Sequence, residues 1–138
     1  MITGMSHVTV WVLDQDRALK FYTDKLGFEV TTDADMGGGT RWLTVANPKQ
    51  PDVNLVLASP APPMLSEEDA RSIQALVAKG SLGAGVMRTD DVRATYEELK
   101  AKGVDFIQEP AERPYGIEAL FRDDSGNWFS LTQHRSAM

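Results

Sequence analysis

A strand, a helix, a glycine and a second strand follow one another in this order twice along the 138-residue chain. In the first half, the alternating segment 7–13 predicts a strand, and the helical spacing that follows it ends at Gly27. In the second half, a strand at 83–89 precedes a helix that ends at Gly103, 76 residues after the first glycine. Element order and residue type agree together, which favours duplication of one unit.

Each of these glycines is followed by residues typical of three further strands, separated by turn residues. The predicted strands are 28–32, 41–46 and 53–58 in the first unit, and 104–109, 117–122 and 127–133 in the second. Each unit is thus of the βαβββ type, and the predicted fold class is α+β. A single domain over residues 1–138 is expected, with module one at 5–58, a linker with a capped helix at 59–82, and module two at 83–134. The linker helix is either a plain covering segment or a lid over a cavity.

The composition argues against several classes of partner and site. The chain has 14 basic and 20 acidic residues, a net charge of −6 and no cysteine. An acidic chain lacks the basic excess that neutralises a phosphate backbone, so nucleic acid is not expected as a partner.

The absence of cysteine excludes disulfides, thiolate metal sites and a cysteine nucleophile. No apolar run approaches the about 20 residues of a membrane span, and the first residues do not resemble a signal peptide, so we expect a soluble, cytoplasmic protein.

Four stretches carry a resemblance to a known family. They are His7 at the start of the first strand, FYTDKLGF at 21–28, TYEELKAKGVDF at 95–106 and FRDDSGNWFSL at 121–131. With the repeated element order, they make the chain similar to the vicinal oxygen chelate superfamily of glyoxalases, extradiol dioxygenases and bleomycin-resistance proteins. The resemblance implies curved mixed sheets that enclose a cavity, and a homodimer.

The resemblance also implies where a metal would be held. In the metal-using members, ligands lie on the first and fourth strands of the first unit and on the first and last strands of the second. These positions fall on His7, Asn54, Ala84 and Ser130. Only histidine is a usual ligand for zinc, nickel or iron, because an amide oxygen is a weak one and alanine has no donor. No metal cofactor is therefore expected. The alternative, a divalent ion such as zinc, nickel or iron, would need further ligands from His134 or from a second chain.

The same alignment predicts residues that line the cavity and bind a ligand: His7, Trp42, Asn54, Val56, Ala84, Arg88, Tyr115, Trp128 and Ser130. His7 is the only catalytic candidate, as a base or a hydrogen-bond donor, and its alternative is a buried structural histidine. A tryptophan on a strand stacks on a planar ligand or belongs to the core. Arg88 shares strand parity with Ala84 and Val86 and either reaches the pocket or pairs with a nearby carboxylate.

These residues favour a metal-independent protein that binds a planar or partly apolar organic ligand, with sequestration of a toxic compound as the implied role. One alternative is a lyase, isomerase or dioxygenase that uses a degenerate metal site or His7 as base. Another is a dimerising interaction module with a vestigial pocket. Bound metal or a perturbed His7 pKa would indicate an enzyme, whereas saturable stabilisation without turnover would indicate a binder.

Overall fold

Two four-stranded mixed sheets and three helices make up the protein, in a computed structural model that describes residues 1–135. The elements in chain order are β1 (His7–Trp11), α1 (Gln15–Lys20), β2 (Glu29–Asp35), β3 (Arg41–Ala46), β4 (Asn54–Ala58), α2 (Glu67–Ala78), β5 (Gly83–Arg88), α3 (Val92–Ala101), β6 (Asp105–Arg113), β7 (Gly116–Arg122) and β8 (Trp128–His134). A π-helical turn, Phe21–Lys25, continues α1. The α+β class and the repeated βαβββ order are confirmed.

The two sheets have the same topology. Their strand orders are β1-β4-β3-β2 and β5-β8-β7-β6. In each sheet the first strand of the unit pairs with its last strand in parallel, and the remaining pairs are antiparallel. Neither sheet closes into a barrel, so each has one face covered by helices and one open face.

Matching residues begin and end the first helix of each unit. The side chain of Asp14 accepts a hydrogen bond from Arg17 N, and that of Asp91 accepts one from Ala94 N. Asp at this position satisfies a backbone N–H that has no partner within the helix. Gly27 and Gly103 follow the helices with φ of 76° and 87°, a conformation that favours glycine. These local signals are the reason that the element order could be predicted.

Several strand ends differ from the prediction, and three of them matter for the site. β1 ends at Trp11 rather than at residue 13, and β6 extends to Arg113 rather than to residue 109. Pro110 lies within β6, which is the edge strand of its sheet, and an edge strand tolerates the missing N–H of proline. His134 is exposed and is the last residue of β8, one residue beyond the predicted strand.

A single apolar core joins the two units. It contains helix-facing residues of both sheets, including Val10, Leu43 and Leu57 of the first and Ala119, Phe121 and Phe129 of the second. The buried Tyr22 ring lies between the units, with its centroid 6.0 Å from that of Phe28 and 6.4 Å from that of Phe129. Because the units pack through their helix-facing sides, the open faces of the two sheets point away from the shared core.

The turn 123–127 before β8 connects the units by polar contacts. Three hydrogen bonds join it to the first unit: Tyr22 Oη donates to Asp123 Oδ2 at 2.7 Å, Asn127 Nδ2 to the Trp11 carbonyl at 2.7 Å, and Leu13 N to Ser125 Oγ at 2.9 Å. Burial and the neighbouring Asp123 charge raise the pKa of Tyr22 well above its usual value. The turn therefore fixes the position of the second unit relative to the first.

The linker helix α2 also rests on this turn. Ser66 Oγ accepts a hydrogen bond of 3.0 Å from Asp69 N, as the predicted cap requires. Gly126 has a φ of 119° and no side chain, which lets the Val77 carbonyl approach its backbone closely. The carboxyl end of α2 is thus held on the turn and not over either open face. Among residues 1–135, no helix combines the length and the apolar character that crossing a bilayer would demand.

Asp124 in this turn makes stability depend on pH in an unusual direction. Its side chain is 13% exposed, its oxygens have no hydrogen-bond partner, and Arg17 Nε lies 3.9 Å away. Burial, followed by the Asp123 charge, raises its pKa from 3.8 to about 6. A folded-state pKa above the unfolded value favours the protonated form, so this carboxyl costs stability increasingly as pH rises from about 4 to about 6.

Asp124→Asn should therefore be the more stable protein at neutral pH, by about 1 to 2 kcal/mol after allowance for solvent screening. The difference should disappear near pH 4, where Asp124 is protonated in the folded state. Urea unfolding of both proteins across this range measures it. Asp90→Asn, at an exposed aspartate, is the matched control and should not show this dependence. A difference between Asp124→Asn and the parent that is constant with pH would contradict the assignment.

Candidate functional site

The open faces carry most of the residues that the sequence singled out. We call one of them the first face, and it is formed by His7, Thr9, Trp42, Thr44, Asn54 and Val56 of the first sheet. We call the other the second face, and it is formed by Val86, Arg88, Glu118, Leu120, Ser130 and Thr132 of the second sheet. The cross-strand register defines both groups. In the first sheet, His7 pairs with Asn54, and Val56 pairs with Thr9 and Thr44. In the second sheet, Ser130 pairs with Val86 and Leu120, and Thr132 pairs with Arg88 and Glu118. Register partners point to the same side of a sheet.

Three predicted residues lie together on the first face. His7 is the register partner of Asn54, and its ring centroid lies 5.7 Å from that of Trp42, with the ring planes at 44°. His7 Nδ1 is 3.0 Å from Ser6 Oγ. Both His7 and Trp42 are exposed, Trp42 to 37%. The interpretation of His7 as a buried structural histidine is therefore wrong, and both rings are available to a ligand.

A directed chain of hydroxyl groups ends at Asn54. Thr31 Oγ1 donates to Asn54 Oδ1 at 2.6 Å, and Thr44 Oγ1 lies 2.6 Å from Thr31 Oγ1. A hydroxyl has one hydrogen, so the Thr31 hydrogen is used by Asn54 and Thr44 must donate to Thr31. Asn54 Nδ2 donates to the Ser6 carbonyl at 3.3 Å. The Asn54 amide is thus held in one orientation.

Glu118 organises the second face. Its Oε1 accepts a 2.7 Å hydrogen bond from Tyr115 Oη, and its Oε2 accepts one of 2.6 Å from Ser130 Oγ. Thr132 Oγ1 lies 2.6 Å from Ser130 Oγ, and Arg113 Nε is 3.9 Å from Glu118 Oε1. The hydrogen bond to Glu118 is the main cause that raises the pKa of Tyr115 above its usual value. Two predicted residues, Tyr115 and Ser130, are brought together by a carboxylate.

Sequence reasoning missed Glu118. The available signal was an acidic residue in the middle of a strand, flanked by Ile117 and Ala119, which pack towards the core. Alternation places Glu118 on the opposite side from those neighbours. Which hydroxyls meet it depends on the β7–β8 register and on the turn that holds Tyr115, and neither follows from the strand pattern alone.

A bulge in β5 corrects the prediction for Ala84. Between Gly83 and Gly85 the register with β8 shifts by one residue, and Gly85 has a φ of 146°. Ala84 consequently packs against the core, whereas Val86, which was predicted to share its side, is 63% exposed. Arg88 lies on the second face as the register partner of Thr132. Within residues 1–135 no carboxylate comes within 4.0 Å of Arg88, so its predicted ion pair does not form there.

The remaining predicted residues contribute in different ways. Trp128 is half-buried, and its indole lies against Gly83, where an added Cβ would be 2.6 Å from a ring carbon. Glycine at this position lets the indole rest directly on the backbone of β5. Val56 and Ser130 lie on the open faces but are only 7% and 3% exposed. These two side chains therefore offer little surface to a ligand.

The side chains present do not fit a divalent metal. Within residues 1–135, no three His, Asp or Glu side chains are close enough to share an ion. Of the four positions aligned with metal ligands, Ala84 has no donor and packs into the core, and Asn54 Oδ1 already accepts a hydrogen bond from Thr31. Ser130 lies on the second sheet and gives its hydrogen to Glu118 of the neighbouring strand. His7 alone is a poor donor set for zinc, nickel or iron.

Two surface depressions, each of about 290 Å³, lie away from the open faces. One is lined by Arg93, Tyr96, Glu97, Glu109 and Pro110, and the other by Asp33, Asp35, Gly39, Thr40 and Arg41. Neither contains a residue that the sequence predicted for the site. Most of the predicted residues lie instead on the open sheet faces.

Comparison with known proteins places the chain among relatives of similar length. The sequence model of the Glyoxalase/Bleomycin resistance protein/Dioxygenase superfamily matches residues 4–131. The uncharacterized protein YetH of Bacillus subtilis (strain 168) is 35% identical over 133 residues, which make up 96% of this chain and 100% of YetH.

Two solved structures are similar throughout. The crystal structure of UcmS2 has a TM-score of 0.90 and 53% identity, and the match covers 96% of this chain and 99% of UcmS2. That of TnmS3, an antibiotic binding protein from Streptomyces sp. CB03234, has a TM-score of 0.76 and 34% identity, with 97% and 98% of the two chains covered.

Proposed function

Because the chain belongs to the glyoxalase/bleomycin resistance protein/dioxygenase superfamily, we propose that it binds a small planar or partly apolar organic molecule between its open sheet faces. The observation that carries the proposal is the pairing of exposed aromatic rings with fixed polar groups on these faces. His7 and Trp42 offer aromatic surface, and Glu118 offers a hydrogen-bonding group of fixed orientation. Apolar walls with a few convergent polar groups are the usual composition of small-molecule sites.

Binding without a metal is part of the proposal. At the four positions aligned with metal ligands, the only possible donors are a single histidine, an amide already hydrogen-bonded and a serine committed to Glu118. The groups that remain can stack on a ligand, accept hydrogen bonds from it or exclude water around it. They are suited to recognition and not to polarising a substrate oxygen.

A second copy of the chain is proposed to complete the site. The two open faces of one chain point away from the shared core, so they do not enclose a ligand between them. Val86 and Trp42 leave apolar surface exposed on the two faces. A homodimer in which the first face of one copy lies over the second face of the other would cover this surface and form two equal cavities.

Sequestration of a toxic compound is the role we favour. TnmS3 is described as an antibiotic binding protein, and this chain shares its length and fold with 34% identity. An organic molecule held without chemical change needs aromatic surface and hydrogen-bonding groups, which the open faces carry, and a cover, which the second copy would supply. The rival, an enzyme with His7 as base, is favoured by the exposure of His7 beside Trp42. It predicts turnover that His7→Ala abolishes.

The composite site can be tested by mixing two defective variants. Trp42→Ala impairs the first face and Val86→Arg, at an exposed position, impairs the second. Each variant alone should bind the planar fluorescent dye 9-aminoacridine at least about tenfold more weakly than the parent, because stacking surface or access is lost. After subunit exchange in an equal mixture, about one quarter of the sites should regain parental affinity, since one cavity of each mixed dimer combines two intact faces.

The controls separate the alternatives. Met64→Ala removes an exposed apolar side chain from the linker, away from both faces, and should leave binding unchanged. Sedimentation equilibrium reports whether the chain dimerises at the concentrations used. No recovery in a mixture that does exchange subunits would show that the faces act separately or within one chain. Failure of the parent to bind any planar probe would contradict the proposed function itself.

A further inference from the structure

The hydroxyl hydrogens around Glu118 are all directed inwards. As a carboxylate, Glu118 only accepts hydrogen bonds, so Tyr115 and Ser130 both act as donors to it. The single hydrogen of Ser130 is then used, and Thr132, 2.6 Å away, must donate to Ser130. No hydroxyl hydrogen of this group is left to point outwards.

What the group presents to a ligand is therefore a set of lone pairs. Ser130 and Thr132 are buried, whereas Tyr115 is half-buried and the Glu118 side chain is 16% exposed. Each carboxylate oxygen accepts one hydrogen bond from the network and has capacity for another. The outward surface consists of the Glu118 carboxylate and the Tyr115 oxygen, and both require a donor from any partner.

The nearby arginines leave acceptor capacity on this surface, although Arg113 forms an ion pair with Glu118. Arg113 Nε is 3.9 Å from Glu118 Oε1, beyond hydrogen-bond distance, and its guanidinium donates to Gln108 Oε1 at 3.1 Å. Arg88 is exposed and lies on β5, separated from β7 by β8. A ligand acceptor placed at Glu118 would meet lone pairs without a hydrogen between them, which costs the full desolvation of both groups.

From this geometry we propose that Glu118 selects ligands that carry N–H or O–H donors, with a planar organic cation as the best match. The inference rests on the proposed function and adds the chemical class of the ligand. Tyr115 and Ser130 position the carboxylate, and Glu118 makes the contact. A hydrogen bond between charged partners is the stronger kind, so the preference should be large enough to measure.

Three tricyclic probes of similar size test the proposal at about pH 8, where their charges differ. They are 9-aminoacridine, a cation with N–H donors; acridine, neutral and without donors; and acridine-9-carboxylate, an anion without donors. We expect the cation to bind about tenfold more tightly than acridine, and acridine more tightly than the anion. Fluorescence titration gives the three dissociation constants.

The decisive variant is Glu118→Gln, which keeps the size of the side chain but removes its charge and places an amide N–H₂ on the surface. It should reduce the affinity for 9-aminoacridine about tenfold and leave that for acridine within about twofold. Glu112→Gln, at an exposed residue of β6, makes the same change in net charge and should preserve the preference.

Each other outcome has a defined meaning. If Glu112→Gln and Glu118→Gln weakened the preference for 9-aminoacridine over acridine equally, that preference would come from the overall charge of the protein, and the proposal would be overturned. Unchanged discrimination in a folded Glu118→Gln protein would do the same. Binding of acridine alone, or of all three probes equally, would leave the proposed function intact and refute only the role of Glu118. Absence of binding by all three would count against both.

Discussion

Asp123→Ala is expected to lower the free energy of unfolding by about 4 kcal/mol, because one buried side chain satisfies donors from both halves of the fold. Its Oδ1 accepts hydrogen bonds of 2.9 Å from the backbone N–H groups of Ser125, Gly126 and Asn127. Its Oδ2 accepts from Tyr22 Oη and from Asn127 Nδ2 at 3.0 Å. Alanine would leave all five bonds unmade at a site where water has little access.

Urea unfolding followed by circular dichroism measures this loss. Asp35→Ala is the matched control, since Asp35 also accepts a backbone hydrogen bond, from Gly37 N at 2.8 Å, but in an exposed turn. It should cost less than about 1 kcal/mol. Near-equal effects of the two substitutions would mean that the turn 123–127 does not hold the units together.

Gly116→Ala should destabilise the protein by about 3 kcal/mol and also disturb the second face. Gly116 has a φ of 149°, and an added Cβ would overlap the Gln133 carbonyl oxygen and lie 3.1 Å from His134 Cα. Both neighbours are backbone atoms of β8, so they yield only if the β7 and β8 ends separate. Because Tyr115 precedes Gly116, we expect its hydrogen bond to Glu118 to weaken as well.

Two measurements test this. Urea unfolding gives the stability, and ultraviolet titration of the phenols should show the raised pKa of Tyr115 falling towards its usual value of 10.0. Gly27→Ala is the control, since Gly27 has a φ of 76° with no atom within 4 Å of an added Cβ. It should cost only backbone strain, about 1 kcal/mol, without a change in the titration. An unshifted Tyr115 in a destabilised Gly116→Ala protein would show that the turn is held independently of β8.

Local signals allowed the fold to be predicted. The caps at Asp14 and Asp91 and the glycines at 27 and 103 act through the backbone of a few adjacent residues, so they can be read from the sequence. The length of β6 could not be predicted in the same way. Whether Pro110 ends a strand depends on whether that strand lies at a sheet edge, and the edge is decided by chain segments far away.

The candidate site was predicted in part, for a similar reason. His7, Trp42 and Asn54 follow strand alternation and do lie together. Ala84 departs from it because a bulge between two glycines inserts a residue. Glu118 acquires its importance only through Tyr115 and Ser130, which reach it from a turn and a neighbouring strand. Pairwise contacts of this kind are properties of register and not of a strand pattern.

The shared core has a consequence for how a protein of this kind arises by duplication. Tyr22 of the first repeat packs against Phe129 of the second, so neither repeat has a complete hydrophobic core by itself. A half-length protein with a single repeat would expose that apolar side to water and would bury it by forming a homodimer. Fusion of two such repeats would turn an intermolecular contact into the interior of one chain. Within one chain the two repeats can differ, and here the first carries a histidine and a tryptophan where the second carries a carboxylate network.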